Sequence, residues 1–62
     1  MQIFIDGRKK DMRHRGSVSS LLKKLAIRRE EVVVKLNGKL VPETTEVSSK
    51  DKVEIIKVIF GG

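Results

Sequence analysis

EEVVVKLNGKLVP, residues Glu30 to Pro42, decides the fold. A β-branched run, Val32 to Val34, leads into Asn37-Gly38, the dipeptide favoured in two-residue hairpin turns because both central positions take positive φ. Leu40 and Val41 form a short return strand, and Pro42, which lacks an N–H for a ladder bond, brings it to a stop. Along the first strand the side chains alternate, so Val32, Val34 and Leu36 share one face and Val33 and Lys35 the other.

Upstream lies SVSSLLKKL, residues 17 to 25. Ser17 offers a side-chain oxygen as a helix N-cap, and Val18, Leu21, Leu22 and Leu25 fall at i, i+3, i+4 and i+7, the stripe of an amphipathic helix. Lys23 and Lys24 sit off that stripe, near the C-terminal end where cations are favoured. Further upstream, MQIFID alternates Met1, Ile3 and Ile5 with Gln2, Phe4 and Asp6, the period of a strand with one buried face. Asp6-Gly7 reads as a second hairpin turn. The return segment, about Arg8 to His14, is polar except for Met12, so it is expected as a strand from hairpin logic more than from its own pattern. Downstream, ETTEVSSKD (43–51) is a polar connection in which one short helical turn is expected near Val47, and KVEIIKVIF (52–60) is the last strand. The order strand, strand, helix, strand, short strand, strand predicts an α+β fold. A mixed sheet of four to five strands carries one helix packed across one face, since right-handed crossover leaves few other arrangements. One domain over residues 1–62 is expected, with a flexible tail at about 60–62.

Composition limits the chemistry. Sixty-two residues bury only about 60% of the surface exposed on unfolding, so the core is small. With no cysteine, neither disulfides nor a thiolate metal site can supplement it, and no thiol can act as nucleophile. His14 is a lone histidine in a basic segment, better read as a solvated side chain than as a ligand or general base, and no second His or Cys completes a metal site. Asp6, Asp11, Glu30 and Glu31 show no spacing for paired acid and base work. No catalytic or metal site is expected. No apolar run approaches the roughly 20 residues of a membrane span, and the N-terminal segment lacks the order of a secretory signal. A cytoplasmic protein that does not contact membranes is the expectation.

Charge is uneven. Residues 1–31 hold nine Lys or Arg against four Asp or Glu, and residues 32–62 five against four. Much of the excess is RKKDMRHR, where Arg8, Lys9, Lys10, Arg13 and Arg15 are candidate contacts for phosphate or an acidic protein surface. A solvated edge strand whose cations discourage sheet-to-sheet aggregation is the plainer reading. With only Phe4 and Phe60 available to stack on a base, nucleic acid is the less favoured partner.

The start MQIF resembles that of ubiquitin. The Asp6-Gly7 turn, SVSSLLKKL, VVVKLNGKLVP and KVEIIKVIFGG together resemble the small ubiquitin-like β-grasp sulfur carriers of the ThiS and MoaD type, which serve thiazole and molybdopterin synthesis, and the small archaeal-type modifiers ending in Gly-Gly. The resemblance covers nearly the whole chain. It implies that the Gly62 carboxylate is the working group, with Gly61 before it, and that a separate ubiquitin-activating-type enzyme adenylates it with ATP. The carrier itself then binds no cofactor and catalyses nothing. Two residues without Cβ make a narrow strand whose backbone approaches a nucleotide closely. Ile59 to Gly62, extended, span roughly 13 Å, enough to enter a buried site. The acyl adenylate can pass to sulfur, giving a thiocarboxylate for a sulfurtransferase or synthase acceptor, or to a lysine amine of a target protein.

Partner binding is expected on the sheet face opposite the helix, where Phe4, Val33, Ile56 and Val58 occupy the outward phase and cluster more than solvation favours. Phe60, a bulky aromatic before the diglycine, either anchors the tail in the activating enzyme or covers the sheet edge. Three readings stand: a sulfur carrier for thiazole, molybdopterin or tRNA thiolation; a ubiquitin-like modifier conjugated to lysines; and a small basic β-grasp RNA-binding module. A monomer is expected in each.

Overall fold

The computed structural model describes residues 1–58. Its element order is β1 (Gln2–Ile5), β2 (Arg8–Asp11), β3 (Gly16–Ser17), α1 (Val18–Lys24), a 3-10 turn (Arg29–Glu31), β4 (Val32–Leu36), β5 (Lys39–Val41), β6 (Glu46–Val47) and β7 (Lys52–Lys57). Five strands form a mixed sheet in the order β2-β1-β7-β4-β5. β7 is central, parallel to β1 and antiparallel to β4. The expected α+β architecture, with a five-stranded sheet and one helix, is what the chain builds.

Both hairpin turns take the left-handed backbone that their residues suit: Asp6 and Gly7 at φ 49° and 81°, Asn37 and Gly38 at φ 51° and 87°. Ser17 caps α1, its hydroxyl accepting from the Ser20 N–H at 3.1 Å. The helix ends without a glycine. Ala26 takes φ 59°, its N–H donates to the Lys23 carbonyl, and the Ile27 N–H donates back to Leu22. This closes the last turn in the manner of a Schellman cap.

Alternation places Ile3, Val53, Ile55 and Val34 on the inner face, where they meet Val18, Leu21 and Leu22 from the helix. These seven and Val47 are the buried apolar residues among those described.

Three expectations need correction. β2 stops at Asp11 rather than running to His14; only the Met12 N–H bond to the Met1 carbonyl extends its pairing. Val47 is not in a helical turn. It lies in β6, pairing antiparallel with β3 through Val47↔Gly16 and Glu46↔Ser17, because extended backbone there buries Val47 and satisfies ladder groups on both segments. β7 ends at Lys57, with Val58 already outside the strand; Ile59 and Phe60 of the expected strand, and the expected flexible tail, lie outside the described residues.

The Asn37 turn has a second use. Its side-chain oxygen accepts from the Lys52 N–H at 3.0 Å, and its amide donates to Asp51 at 3.1 Å. Asp51 also accepts from the Ser48 N–H at 2.8 Å. Hydrogen bonding, led by Asn37, holds the Asp51 carboxyl below its ordinary value. The β4–β5 turn is thereby tied to the entry of β7.

Candidate functional site

The outer sheet face is built by strand phase. Val33 and Ile56 stand directly opposite one another across β4 and β7, and each keeps 37% of its surface exposed. Phe4 pairs with Glu54, which places it one diagonal step from Ile56. Leu40, opposite Lys35, is one diagonal step from Val33 on the other side. Diagonal neighbours of this kind lie about 7–8 Å apart, within reach of one another's side chains. Phe4, Ile56, Val33 and Leu40 therefore form an apolar stripe crossing four strands.

Leu40 was missed by sequence reasoning although it is 68% exposed. The signal was available: a two-residue turn at Asn37-Gly38 fixes the register, which sets Leu40 opposite Lys35 and so on the same face as Val33. Phe4 is half-buried, with the Lys52 ammonium 5.2 Å from its ring centroid, a cation–π distance. Val58, just past β7, is half-buried, and its N–H donates to the Glu31 carbonyl at 2.9 Å. Val58 therefore continues the pairing of β7 by one bond, close to Val33 and Ile56 of the stripe. Phe60, Gly61 and Gly62 lie outside the described residues.

The basic candidates are divided by the fold. β2 is an edge strand, and its pairing with β1 gives Lys9 the phase of Phe4, on the outer face, while Arg8 and Lys10 share the phase of Ile5 and Ile3, on the helix side. Arg13 and Arg15 follow in the segment between β2 and β3, at the opposite end of the sheet from Val58.

Among the described residues, no group of three or more His, Cys, Asp or Glu is placed to hold a metal ion, and no helix is long and apolar enough to cross a membrane. The ion pairs among the described residues are those of Arg28 and Arg29 with Glu30, both exposed, and of Arg29 with the half-buried Glu43. The bond to Glu43 is the main reason that the Arg29 guanidinium is held above its ordinary value.

The model of the ThiS family matches residues 4–62. The chain belongs to the ThiS family. Its fold is similar to the crystal structure of a thiamine biosynthesis protein (ThiS) from Geobacter metallireducens, with a TM-score of 0.70 and 28% sequence identity over 100% of both chains. No curated protein matches. ThiS-type proteins are small sulfur carriers with a ubiquitin-like β-grasp fold rather than catalysts, and the function of this chain is that of a sulfur carrier. Membership implies two kinds of partner, an activating enzyme and a sulfur acceptor.

Proposed function

We propose that this ThiS-family carrier holds sulfur as a thiocarboxylate on Gly62. The observation behind it is the extent of the family match, which runs through Gly61 and Gly62. Full coverage of the solved ThiS chain in both directions also supports it.

The Gly62 carboxylate, a poor acyl donor when ionised, attacks the α-phosphate of ATP on a separate ubiquitin-activating-type enzyme and pyrophosphate leaves. The terminal sulfur of a partner's persulfide then displaces AMP, and thiol reduction of the resulting S–S bond frees the thiocarboxylate for a sulfurtransferase or synthase acceptor. ATP is the activating enzyme's substrate, and the carrier supplies no bound cofactor of its own. The docking surface is the stripe of Phe4, Ile56 and Val33, extended by Leu40, with Val58 and Phe60 leading from it to the diglycine. Sulfur delivery to a thiamine thiazole is the favoured destination, in line with the thiamine role of the similar Geobacter protein, and the site of action is the cytoplasm, where ATP is supplied.

Deleting Gly61 and Gly62 tests the assignment. ATP–pyrophosphate exchange with the cognate activating enzyme is expected to vanish while the thermal melt stays unchanged. Adding one residue after Gly62 displaces the carboxylate by about 3.5 Å, and a misplacement of even 1 Å costs about 100-fold in a positioned reaction. Normal exchange by either variant overturns the proposal. Intact mass of the protein from its host separates its fates: an oxygen-to-sulfur exchange marks the carrier, and a far larger adduct marks conjugation to a target lysine.

A further inference from the structure

The sulfur-carrier role leaves the basic residues unused, and the fold brings two of them, Arg13 and Arg15, together with Lys24 at one cleft. Arg13, His14, Arg15, Lys24 and Ser49 line an open concavity. Lys24 reaches it from the last turn of α1, its Nζ donating to the Arg13 carbonyl at 2.8 Å. His14 Nε2 lies 3.0 Å from the Ser20 hydroxyl oxygen and 3.3 Å from the Ser17 carbonyl. The Ser20 hydroxyl itself donates to that carbonyl at 2.8 Å, so the imidazole, the hydroxyl and the carbonyl form one hydrogen-bonded cluster. Gly16 makes room for this contact: at φ 139°, a Cβ there would lie 2.9 Å from the Ser20 oxygen. The segment carrying Arg13 and Arg15 is thus braced against the helix start.

No carboxylate lines the cleft. Among the described residues, none lies within ion-pair distance of Arg13, Arg15 or Lys24. Along β2 the cations Arg8 and Lys10 have the helix-side phase, while Asp11, the acidic residue of that strand, has the opposite one. Arg8 and Lys10 line a separate concavity with Ile5, Asp6 and Lys9, so the cations on the helix side of this edge lead towards the cleft with one carboxylate, Asp6, at the far end.

We propose that this run, Arg8, Lys10, Arg13, Arg15 and Lys24, binds the phosphate backbone of a nucleic acid strand. A protein partner is the weaker match, because protein interfaces centre on apolar side chains and are depleted of charge at their core, whereas nucleic-acid interfaces are polar and strongly positive. The cleft has no apolar lining residue, and Met12, between its two halves, packs against the core instead. With no aromatic side chain in the run, the contact reads phosphate and not base.

The test is fluorescence anisotropy of a short labelled oligouridylate titrated at increasing salt. Replacing Arg13, Arg15 and Lys24 together with Ser is expected to weaken binding by about tenfold or more at low salt. The slope of log affinity against log salt should fall by about 0.7 per lost contact, about 2 in all. Arg13→Lys with Arg15→Lys keeps the charge and most of the affinity, which guards against a misfolded loop. Oligothymidylate should bind within about threefold of the RNA, since backbone contacts carry no base information. Equal loss when Arg28, Lys35 and Lys39 are replaced instead would reduce the effect to net charge and overturn the proposal. So would a labelled oligoglutamate of matched charge binding as tightly, or the absence of measurable binding at low salt. Exchange activity with the activating enzyme is a separate readout, so failure here leaves the carrier assignment standing.

Discussion

Replacing Ile56 with Asp separates docking from folding, because Ile56 and its neighbour Ile55 face opposite sides of the sheet. Ile56 keeps 37% of its surface exposed and Ile55 1%. Full burial of such a side chain gives about 1.5–3 kcal/mol, so the buried share of Ile56 corresponds to about 1–2 kcal/mol of folding stability. A chain of 62 residues carries about 3–9 kcal/mol in total. The Ile56→Asp protein therefore stays folded. In the docked complex the loss is larger. The exposed third of the side chain, once covered, contributes about 0.5–1 kcal/mol, and an unpaired carboxylate buried in its place costs about 1–3 kcal/mol or more. The sum, about 2–4 kcal/mol, is a loss of roughly 30- to 700-fold in affinity. Calorimetric titration against the purified activating enzyme measures it, with far-UV circular dichroism as the check on folding. Ile55→Asp, by contrast, places a carboxylate in the core and should abolish the cooperative melt. A folded Ile56→Asp protein with wild-type affinity would remove the outer face from docking, and an unfolded one would reverse the strand phase.

Leu21→Ala and Leu22→Ala should both cost about 2–5 kcal/mol in urea unfolding, with Leu21 the dearer, since it is fully enclosed while Leu22 borders an open groove beside Val18 and Val41 that can partly collapse; the reverse order would contradict the helix orientation. Ala26→Gly should raise stability by about 0.5–1 kcal/mol, because an alanine holding φ 59° is strained where glycine is not, and a lower melting temperature would count against the cap geometry. The lowered pKa of Asp51 stabilises the fold fully above the unfolded value of about 3.9 and less as pH falls through the lower folded value. Acid unfolding of Asn37→Ala, which lacks the largest cause of that shift, should therefore show a shallower pH dependence than wild type below about pH 5, and identical slopes would refute the clasp.

Local features were legible in the sequence because short-range sterics and periodicity set them. Asp6-Gly7 and Asn37-Gly38 announced their turns through φ, Ser17 announced its cap, and alternation along β1 and β4 separated Ile3 and Val34 from Phe4 and Val33, whereas in β7 the adjacent Ile55 and Ile56 break the pattern and their faces are set by pairing with β1 and β4. The ThiS-family character was legible for the same reason: its order of elements and its diglycine are linear patterns. What the tertiary structure alone decided depends on which strands become neighbours. Val47 gave no strand pattern of its own, and its burial comes from a two-residue ladder with Gly16 and Ser17, some thirty positions away in the chain. Ala26 carried no glycine to mark the helix end, which is set by the Ile27 bond back to Leu22. The stripe from Phe4 through Ile56 and Val33 to Leu40 exists only because β7 lies between β1 and β4. Likewise, Lys24 joins Arg13 and Arg15 only because the helix folds back over the segment leaving β2. Sequence periodicity assigns each side chain to a face, but the company it keeps on that face is fixed by non-local strand pairing and helix packing, which no local pattern encodes.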